Sequence, residues 1–267
     1  MRVVPTLEEA VDWFAVANIG FLGVDIYFAH SANEFAVRTE WAPIVFSAIA
    51  APLLVPRLVV PRLRPAMRPL TIVLALASIA VGIAGMLFHL RSAFFESRTL
   101  HALVYSAPFV APLAYVGVGL LVLLSEMEKP GSEEWARWVV LLALGGLAGN
   151  VGLSLLDHAQ NGFFRPVEWL SVIASAFAAS FVAVAVARPL PAVIRACWAV
   201  LAMQSLVGLL GFVLHVLADL SRPGSSLFEQ AVYGAPVFAP LLFVNLALLA
   251  ALGLGSLQRA TSPAGRW

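Results

Sequence analysis

Apolar runs of about twenty residues recur along the whole chain, and few folds can accommodate them. As a helix rising about 1.5 Å per residue, such a run spans the roughly 30 Å hydrocarbon core of a bilayer. Composition agrees, because 61% of the 267 residues are hydrophobic and only 12% are charged, whereas soluble domains carry about 25% charged residues. The sequence therefore predicts an integral membrane protein in contact with the lipid bilayer, not a soluble enzyme.

The runs predict an all-α fold, a polytopic membrane bundle of about eight transmembrane helices. Only helices and closed barrels satisfy their backbone groups in lipid, and continuous apolar runs do not match the alternating strands of barrels. The N-terminal segment lacks the basic region of a cleaved signal peptide, so we expect the first span to be retained. The predicted spans cover about residues 11–31, 41–60, 69–90, 101–125, 136–158, 167–187, 193–217 and 229–255.

Basic residues are concentrated in alternate loops, and this bias predicts the orientation. One side carries Arg2, Arg57, Arg62, Arg64, Arg68, Lys129, Arg137, Arg188, Arg195, Arg259 and Arg266, and the other carries Arg38, Arg91, Arg98, Arg165 and Arg222. Cytoplasmic loops are enriched in lysine and arginine. We therefore expect a bacterial-type inner (plasma) membrane protein with both termini in the cytoplasm.

Several classes of function lack the residues that they require. The single lysine, Lys129, lies in a polar loop, which excludes a retinal Schiff base within the membrane. The single cysteine, Cys197, excludes a disulfide framework. A net charge of +1 gives no basis for binding nucleic acid, and neither a phosphate-binding glycine loop nor an HExxH motif occurs.

Two distant segments match at seven of eleven positions: LVYSAPFVAPL at 103–113 and AVYGAPVFAPL at 231–241, a numbering offset of 128. The same offset relates His30/His158, Glu40/Glu168, Trp41/Trp169, His101/Glu229 and Tyr105/Tyr233, and an offset of 126 relates His89/His215. Four spans per copy is an even number, so both copies have the same topology. The sequence predicts a parallel tandem duplication of a four-helix unit, residues 1–128 and 129–267, forming one integrated membrane domain.

Histidines and glutamates mark one end of the predicted bundle. His30, His89, His158 and His215 end the odd-numbered spans, and Glu40, His101, Glu168 and Glu229 begin the even-numbered spans. Imidazole and carboxylate are ligands for iron, copper or zinc, and histidines on facing helices also suit bis-histidine ligation of haem b. These eight residues predict a metal or haem site facing the periplasm. The alternative is that the same groups only complement helix dipoles at the interface.

Glycines and prolines lead towards this end of the bundle. Gly82, Gly85, Gly208 and Gly211 precede two of the histidines and either clear room for a porphyrin or allow close helix packing. Pro108, Pro112, Pro236 and Pro240 free the carbonyls of Val104, Pro108, Val232 and Pro236 from helical bonding. In a continuous helix they share one face with His101 and Tyr105, or with Glu229 and Tyr233. They predict a polar lining or a plain kink. Asp25, within the first span, is either a proton relay or a structural acid.

Three hypotheses for function follow. The first is a metalloprotein that passes electrons between a periplasmic redox partner protein and membrane quinone, with Tyr105 and Tyr233 as candidate quinone hydrogen-bonding groups. The second is a transporter of a cation or small polar solute, against which stands the lack of a matching polar cluster on the cytoplasmic side. The third is an anchor or assembly subunit that docks a periplasmic partner through the 91–100 and 218–228 loops.

Overall fold

The computed structural model describes residues 5–222 and 226–261, and no strand occurs in these ranges. Three single turns of 3-10 helix, Arg38–Glu40, Pro61–Leu63 and Pro166–Glu168, precede α2, α3 and α8. The α-helices are α1 Leu7–Ser31, α2 Trp41–Val59, α3 Arg64–Arg91, α4 Phe94–Ser97, α5 Leu100–Val104, α6 Leu113–Met127, α7 Glu133–Gln160, α8 Trp169–Ala187, α9 Pro191–Leu220, α10 Leu227–Tyr233 and α11 Leu241–Thr261.

The helix lengths confirm a multi-pass helical membrane protein. In the described ranges, seven helical segments are long and apolar enough to cross a membrane, and they contain α1, α2, α3, α7, α8, α9 and α11. The fourth predicted span is represented by the shorter apolar helix α6, which has 15 residues. Many large apolar side chains on the outer faces of these helices are exposed, as a lipid environment requires.

The fourth and eighth predicted spans are interrupted at the prolines, which the sequence predicted to disrupt the helix, but each break is longer than a kink. Helix α5 ends at Val104 and α6 begins at Leu113, while α10 ends at Tyr233 and α11 begins at Leu241. Each gap contains two prolines, which lack the N–H that would continue the helix. The expected shared helical face of each proline pair with His101 and Tyr105, or with Glu229 and Tyr233, therefore does not form.

The eight long helices pack as two groups of four. In the first four-helix group, α1 packs against α2, α2 against α3, α3 against α6 and α6 against α1. The second four-helix group repeats this order with α7, α8, α9 and α11. Among these long helices, two contacts join the groups, α6 with α7 and α1 with α11, and the short helices α5 and α10 extend them by packing against α7 and α1. Side chains of Asn18 and Asn245 hydrogen-bond to each other across the second of these contacts.

Glycines allow α3 and α9 to approach their neighbours closely. A Cβ added at Gly82 would lie 2.8 Å from the carbonyl oxygen of Pro112, and one at Gly208 would lie 2.7 Å from that of Pro240. Gly85 and Gly211 face the rings of the same two prolines. Close helix packing is therefore confirmed for these glycines, and the space beside them is filled by protein rather than cleared for a porphyrin.

Tyr115 of α6 holds the core of the first four-helix group. Its side chain is only 1% exposed. The hydroxyl shares a 2.6 Å hydrogen bond with Ser47 and donates to the Pro43 carbonyl at 3.1 Å. Ser78 of α3 donates to the Tyr115 carbonyl at 2.7 Å. One residue thus links α2, α3 and α6, and each polar group obtains the partner that burial demands.

Candidate functional site

Two tight chain reversals build the end of the bundle that carries the histidines, called here the histidine end. After α1, Glu34 and Phe35 have positive φ angles of 57° and 52°, and after α7 Phe163 has a φ of 50°. The backbone N–H of Phe35 returns to the His30 carbonyl at 3.2 Å, and that of Phe163 returns to the His158 carbonyl at 3.1 Å. Such left-handed caps satisfy the last carbonyls of a helix and reverse the chain.

Each reversal also places one aromatic ring on another. Phe35 stacks on Trp41 with ring centroids 4.2 Å apart, and Phe163 stacks on Trp169 at 4.0 Å. Their histidine neighbours lie beside these stacks, with centroids 6.3 Å apart for His30 and Phe35. The stacks fix the starts of α2 and α8 beside the ends of α1 and α7, which brings Glu40 and Glu168 close to the histidines.

His30, Glu40 and His89 form the first histidine cluster. The Nδ1 atom of His30 lies 3.5 Å from Glu40 Oε2, an electrostatic contact that is too long for a good hydrogen bond. Asn33 donates to the other carboxylate oxygen of Glu40 at 3.2 Å. The rings of His30 and His89 have centroids 6.1 Å apart. The side chains of His30 and Glu40 are 19% and 16% exposed, so the cluster is largely shielded from solvent.

His158, Glu168 and His215 form the second histidine cluster. His158 Nδ1 lies 3.6 Å from Glu168 Oε2, and these side chains are 23% and 10% exposed. His215 is close enough to His158 to interact with it electrostatically. The two clusters therefore have the same composition, the same His–Glu contact and similar burial, one in each four-helix group.

The broken spans supply the remaining contact of each cluster. His89 Nδ1 lies 3.1 Å from the carbonyl oxygen of Pro108, and His215 Nδ1 lies 3.0 Å from that of Pro236. These are two of the carbonyls predicted to be freed from helical bonding, and each also accepts a turn hydrogen bond, from Ala111 or Ala239. Because a carbonyl oxygen can only accept, Nδ1 carries the proton, and a neutral imidazole then keeps a lone pair on Nε2.

The other predicted site residues lie apart from the clusters. His101 is exposed and packs against Tyr105 in a tilted arrangement, with ring centroids 4.5 Å apart. The side chains of Tyr105 and Tyr233 are 55% and 52% exposed. Glu229 accepts hydrogen bonds from the backbone N–H and the hydroxyl of Ser226, at 2.8 and 2.9 Å, in a capping box that begins α10. These bonds lower the pKa of Glu229 below its usual value.

The eight predicted ligands therefore separate into two clusters of three and two outlying residues. Within residues 5–222 and 226–261, no three histidine, cysteine, aspartate or glutamate side chains are placed as a ready metal-binding group. Each cluster instead offers two imidazoles, with Glu40 or Glu168 beside one of them. Metal or haem ligation stays a prediction.

A buried ionic cluster at the opposite end of the first four-helix group was missed by sequence analysis. Arg57 Nη2 lies 2.8 Å from Glu126 Oε1 and 3.8 Å from Asp12 Oδ2. Arg64 and Arg68 add looser contacts of 3.7 Å to Asp12 and to Glu126. The side chains of Arg57, Asp12 and Glu126 are 5%, 10% and 10% exposed. We call these five residues the arginine-end cluster.

This cluster corrects the expectation that the arginine side lacks a polar counterpart to the histidine end. The overlooked signal was a charged residue inside an apolar run, since Asp12 and Arg57 both lie within predicted spans. Some predicted features lie partly outside the described residues, namely Arg2, Arg266, part of the 218–228 loop and the outer ends of the two predicted units.

Comparisons with known proteins give no family assignment. No protein-family model, no curated protein and no solved structure matches this chain.

Proposed function

We propose that the protein is a membrane metalloprotein in which each histidine cluster binds a transition-metal ion through the Nε2 atoms of its two histidines. The observation that carries the proposal is the set of acceptor oxygens that face Nδ1. In the first histidine cluster, Glu40 and the Pro108 carbonyl face the Nδ1 atoms of His30 and His89. Metal-binding histidines usually direct their second nitrogen to a carboxylate or a carbonyl, which fixes the tautomer and the ring orientation.

The spacing of the rings is compatible with one shared ion. A metal ion bonded at about 2.1 Å to a ring nitrogen lies about 3.2 Å from that ring's centroid, so two such rings are at most about 6.4 Å apart. The 6.1 Å between His30 and His89 falls within this limit. Glu40 and Glu168 then act as orienting partners, and the remaining coordination positions are left to water or to an exogenous ligand.

An electron-transfer role requires iron or copper. Both metals change oxidation state by one electron, whereas zinc does not. In this role the two histidines of each cluster would hold the metal, which would supply one-electron redox chemistry. A periplasmic redox protein would be the reductant and membrane quinone the acceptor, each quinone taking two electrons and two protons to become quinol. Tyr105 and Tyr233 are exposed at the histidine end and remain candidates for hydrogen bonding to the quinone. Haem b remains an alternative cofactor, with less support because the glycine faces are packed.

One purified sample tests the metal. Elemental analysis of the detergent-solubilised protein should find iron, copper or zinc, and absorption spectra of oxidised and reduced samples should reveal any haem. The His30→Ala and His89→Ala variants should lose the metal of the first cluster, whereas His101→Ala, the matched control outside the clusters, should keep it. Metal content that is the same in all three variants would contradict the proposal.

Transport of a cation or a small polar solute is the second candidate. The specific observation in its favour is the arginine-end cluster, which gives the first four-helix group charged residues at both ends. Broken helices such as α5–α6 and α10–α11 are a feature of transporter binding sites. Flux assays in proteoliposomes test this function, and variants of Arg57 should alter any flux that is found.

The orientation is also a proposal, with both termini in the cytoplasm of a bacterial-type inner membrane. The excess of arginine and lysine at the end opposite the histidines supports this orientation. Labelling of single cysteines introduced near Arg38 and near Lys129 with a membrane-impermeant reagent would test it. The first site should react in intact cells and the second only after lysis.

We infer that the eight long helices arose as a parallel tandem duplication of four membrane spans, residues 1–128 and 129–267. Matching patterns of burial support this inference. In α2 the buried positions are Ser47, Ala50, Leu54 and Arg57, and the buried positions of α8 include their equivalents at the repeat offset, Ser175, Ala178, Val182 and Ala185. If residues 1–128 and residues 129–267 are expressed together as two separate chains, the two halves should assemble into the complete bundle.

A further inference from the structure

The two contacts that join the four-helix groups are filled differently near the histidine end. Where α1 meets the broken span α10–α11, aromatic rings occupy the space. Phe21 and Phe28 pack against Phe238 with centroids 5.3 and 5.7 Å apart, and Phe28 also packs against Phe228 at 6.0 Å. The contact between α1 and the broken span α10–α11 is therefore filled by apolar rings.

The other contact, where α7 meets the broken span α5–α6, lacks these rings. At the repeat-equivalent positions of Phe21 and Phe238 stand Gly149 and Val110. A Cβ at Gly149 would lie 3.2 Å from Cγ1 of Val110, so the valine side chain packs directly over this glycine. Beside them is a narrow crevice, lined from α7 and from residues 103–110, that has no room for a water-sized sphere.

The crevice has mainly apolar walls, into which a few polar groups are set. Asp157 of α7 is half-buried, and in the described part of the chain its carboxylate has neither a hydrogen-bond partner nor a counter-ion. The equivalent residue in the first repeat is Ala29, so the acid is particular to this side of the junction. Gln160 also lines the crevice and uses its amide N–H to bind the Val104 carbonyl at 2.8 Å, which leaves its side-chain oxygen free. An uncompensated carboxylate at membrane depth is costly and marks a functional site by default.

The interrupted helix contributes further oxygen atoms. Ser106, which is 4% exposed, lines the crevice and donates its hydroxyl to the Leu103 carbonyl at 2.8 Å, so its oxygen keeps lone pairs. Within the described ranges, no donor hydrogen-bonds the carbonyls of Ser106, Ala107 or Phe109, because they lie between α5 and α6. Unwound carbonyls of this kind coordinate sodium ions in membrane transporters.

We propose that this crevice is a binding site for a small monovalent cation, specifically sodium, between the two four-helix groups. All of its donors are oxygen atoms, which hard cations prefer and which separate it from the imidazole clusters. One carboxylate balances one positive charge. The crevice is too narrow to admit a water molecule, so the ion must be small and bound without its hydration shell.

The test uses the full-length protein in nanodiscs. Equilibrium binding of radioactive sodium is measured, together with thermal stability in sodium, potassium and choline chloride at equal ionic strength. Asp157→Asn keeps the shape of the side chain and removes its charge. Asp25→Asn is the matched control, because Asp25 is also a half-buried acid within a predicted span but lies in α1, outside the crevice. Ser106→Ala is a second, smaller change within the crevice.

The wild-type protein and Asp25→Asn should bind sodium saturably and show a higher Tm in sodium chloride than in choline chloride. Asp157→Asn should lose both effects, and Ser106→Ala should bind sodium more weakly. Transition-metal content should be the same in all of these proteins. This result would show that the sodium site is independent of the second histidine cluster, which contains His158. A wild-type protein that neither binds sodium nor gains stability from it would overturn the proposal. So would unchanged sodium binding in Asp157→Asn or, if that variant does not fold, in Ser106→Ala.

Discussion

The carbonyl oxygen of Pro108 lies 3.1 Å from Nδ1 of His89. In a regular helix that carbonyl would accept the N–H of residue 112, but residue 112 is also a proline and has none. The second proline of the pair thus leaves the carbonyl open to the histidine. The 3.0 Å contact between His215 and Pro236, with Pro240 four residues on, follows the same logic. The pair of prolines, which in the sequence indicates a kink, therefore orients an imidazole in the structure.

Removing the charge of Glu40 or Glu168 should weaken metal binding without abolishing it. The Glu40→Gln and Glu168→Gln variants keep the side-chain shape but lose the carboxylate that faces Nδ1 of His30 or His158. Loss of such an orienting partner lowers metal affinity by about 10- to 100-fold. Competition with a chelator of known affinity measures the change. Glu229→Gln, which alters only a helix cap, should behave as wild type.

Removing Arg57 alone should destabilise the protein strongly. The Arg57→Ala variant removes the 2.8 Å partner of Glu126 and leaves the buried Asp12 and Glu126 with only the 3.7 Å contacts of Arg64 and Arg68. Breaking a buried ion pair in this way costs about 3–5 kcal/mol. Thermal or denaturant unfolding in a mild detergent measures the loss. A loss below about 1 kcal/mol, typical of exposed ion pairs, would show that the cluster is solvated.

The second four-helix group suggests how to restore the stability that the Arg57→Ala variant loses. At the repeat-equivalent positions of Asp12, Arg57 and Glu126 stand Val140, Ala185 and Leu254, and all three are fully buried. The triple variant Asp12→Val, Arg57→Ala, Glu126→Leu should recover most of the stability that Arg57→Ala loses, because apolar replacements of buried ion pairs are often neutral. If flux or electron transfer then fails in a stable protein, the cluster serves function rather than folding.

Enlarging Gly82 should disrupt packing between α3 and α6. A Cβ at this position would lie within 3.0 Å of the Pro112 carbonyl oxygen and the Val116 N, which are backbone atoms that cannot move independently. Gly82→Ala should cost about 1–3 kcal/mol through overpacking. Gly117→Ala in α6 is the control, since nothing lies within 4 Å of an added Cβ there. That change should be neutral or slightly stabilising, as alanine favours helix.

The Asn18–Asn245 pair should couple the two four-helix groups weakly. A double-mutant cycle with Asn18→Ala and Asn245→Ala should give a coupling energy of about 0.6 kcal/mol, and no more than about 1.7 kcal/mol. The value is small because each amide finds other partners when the groups separate. A coupling energy of zero would mean that the two side chains do not interact in solution.

Much of the fold follows from the sequence because membrane insertion depends on consecutive residues. Apolar runs, span ends and arginine bias are properties of local segments, and the structure confirms multiple apolar helices near the predicted ranges. The breaks after Val104 and Tyr233 were signalled by proline, whose missing N–H is a local fact. The sequence underestimated only the length of the breaks. A long break is possible because side chains of neighbouring helices hydrogen-bond the released carbonyls, and these partners are not visible in the local sequence.

Only the tertiary structure decides which polar side chains come into contact. Asp12, Arg57 and Glu126 are far apart in the chain and meet only because α1, α2 and α6 turn their faces inward in a common register. His101 begins an even-numbered span as Glu40 does, yet its short helix ends at Val104 and leaves it exposed beside Tyr105. Hydropathy establishes that a segment crosses the bilayer, but the rotation of each helix about its axis depends on packing against its neighbours.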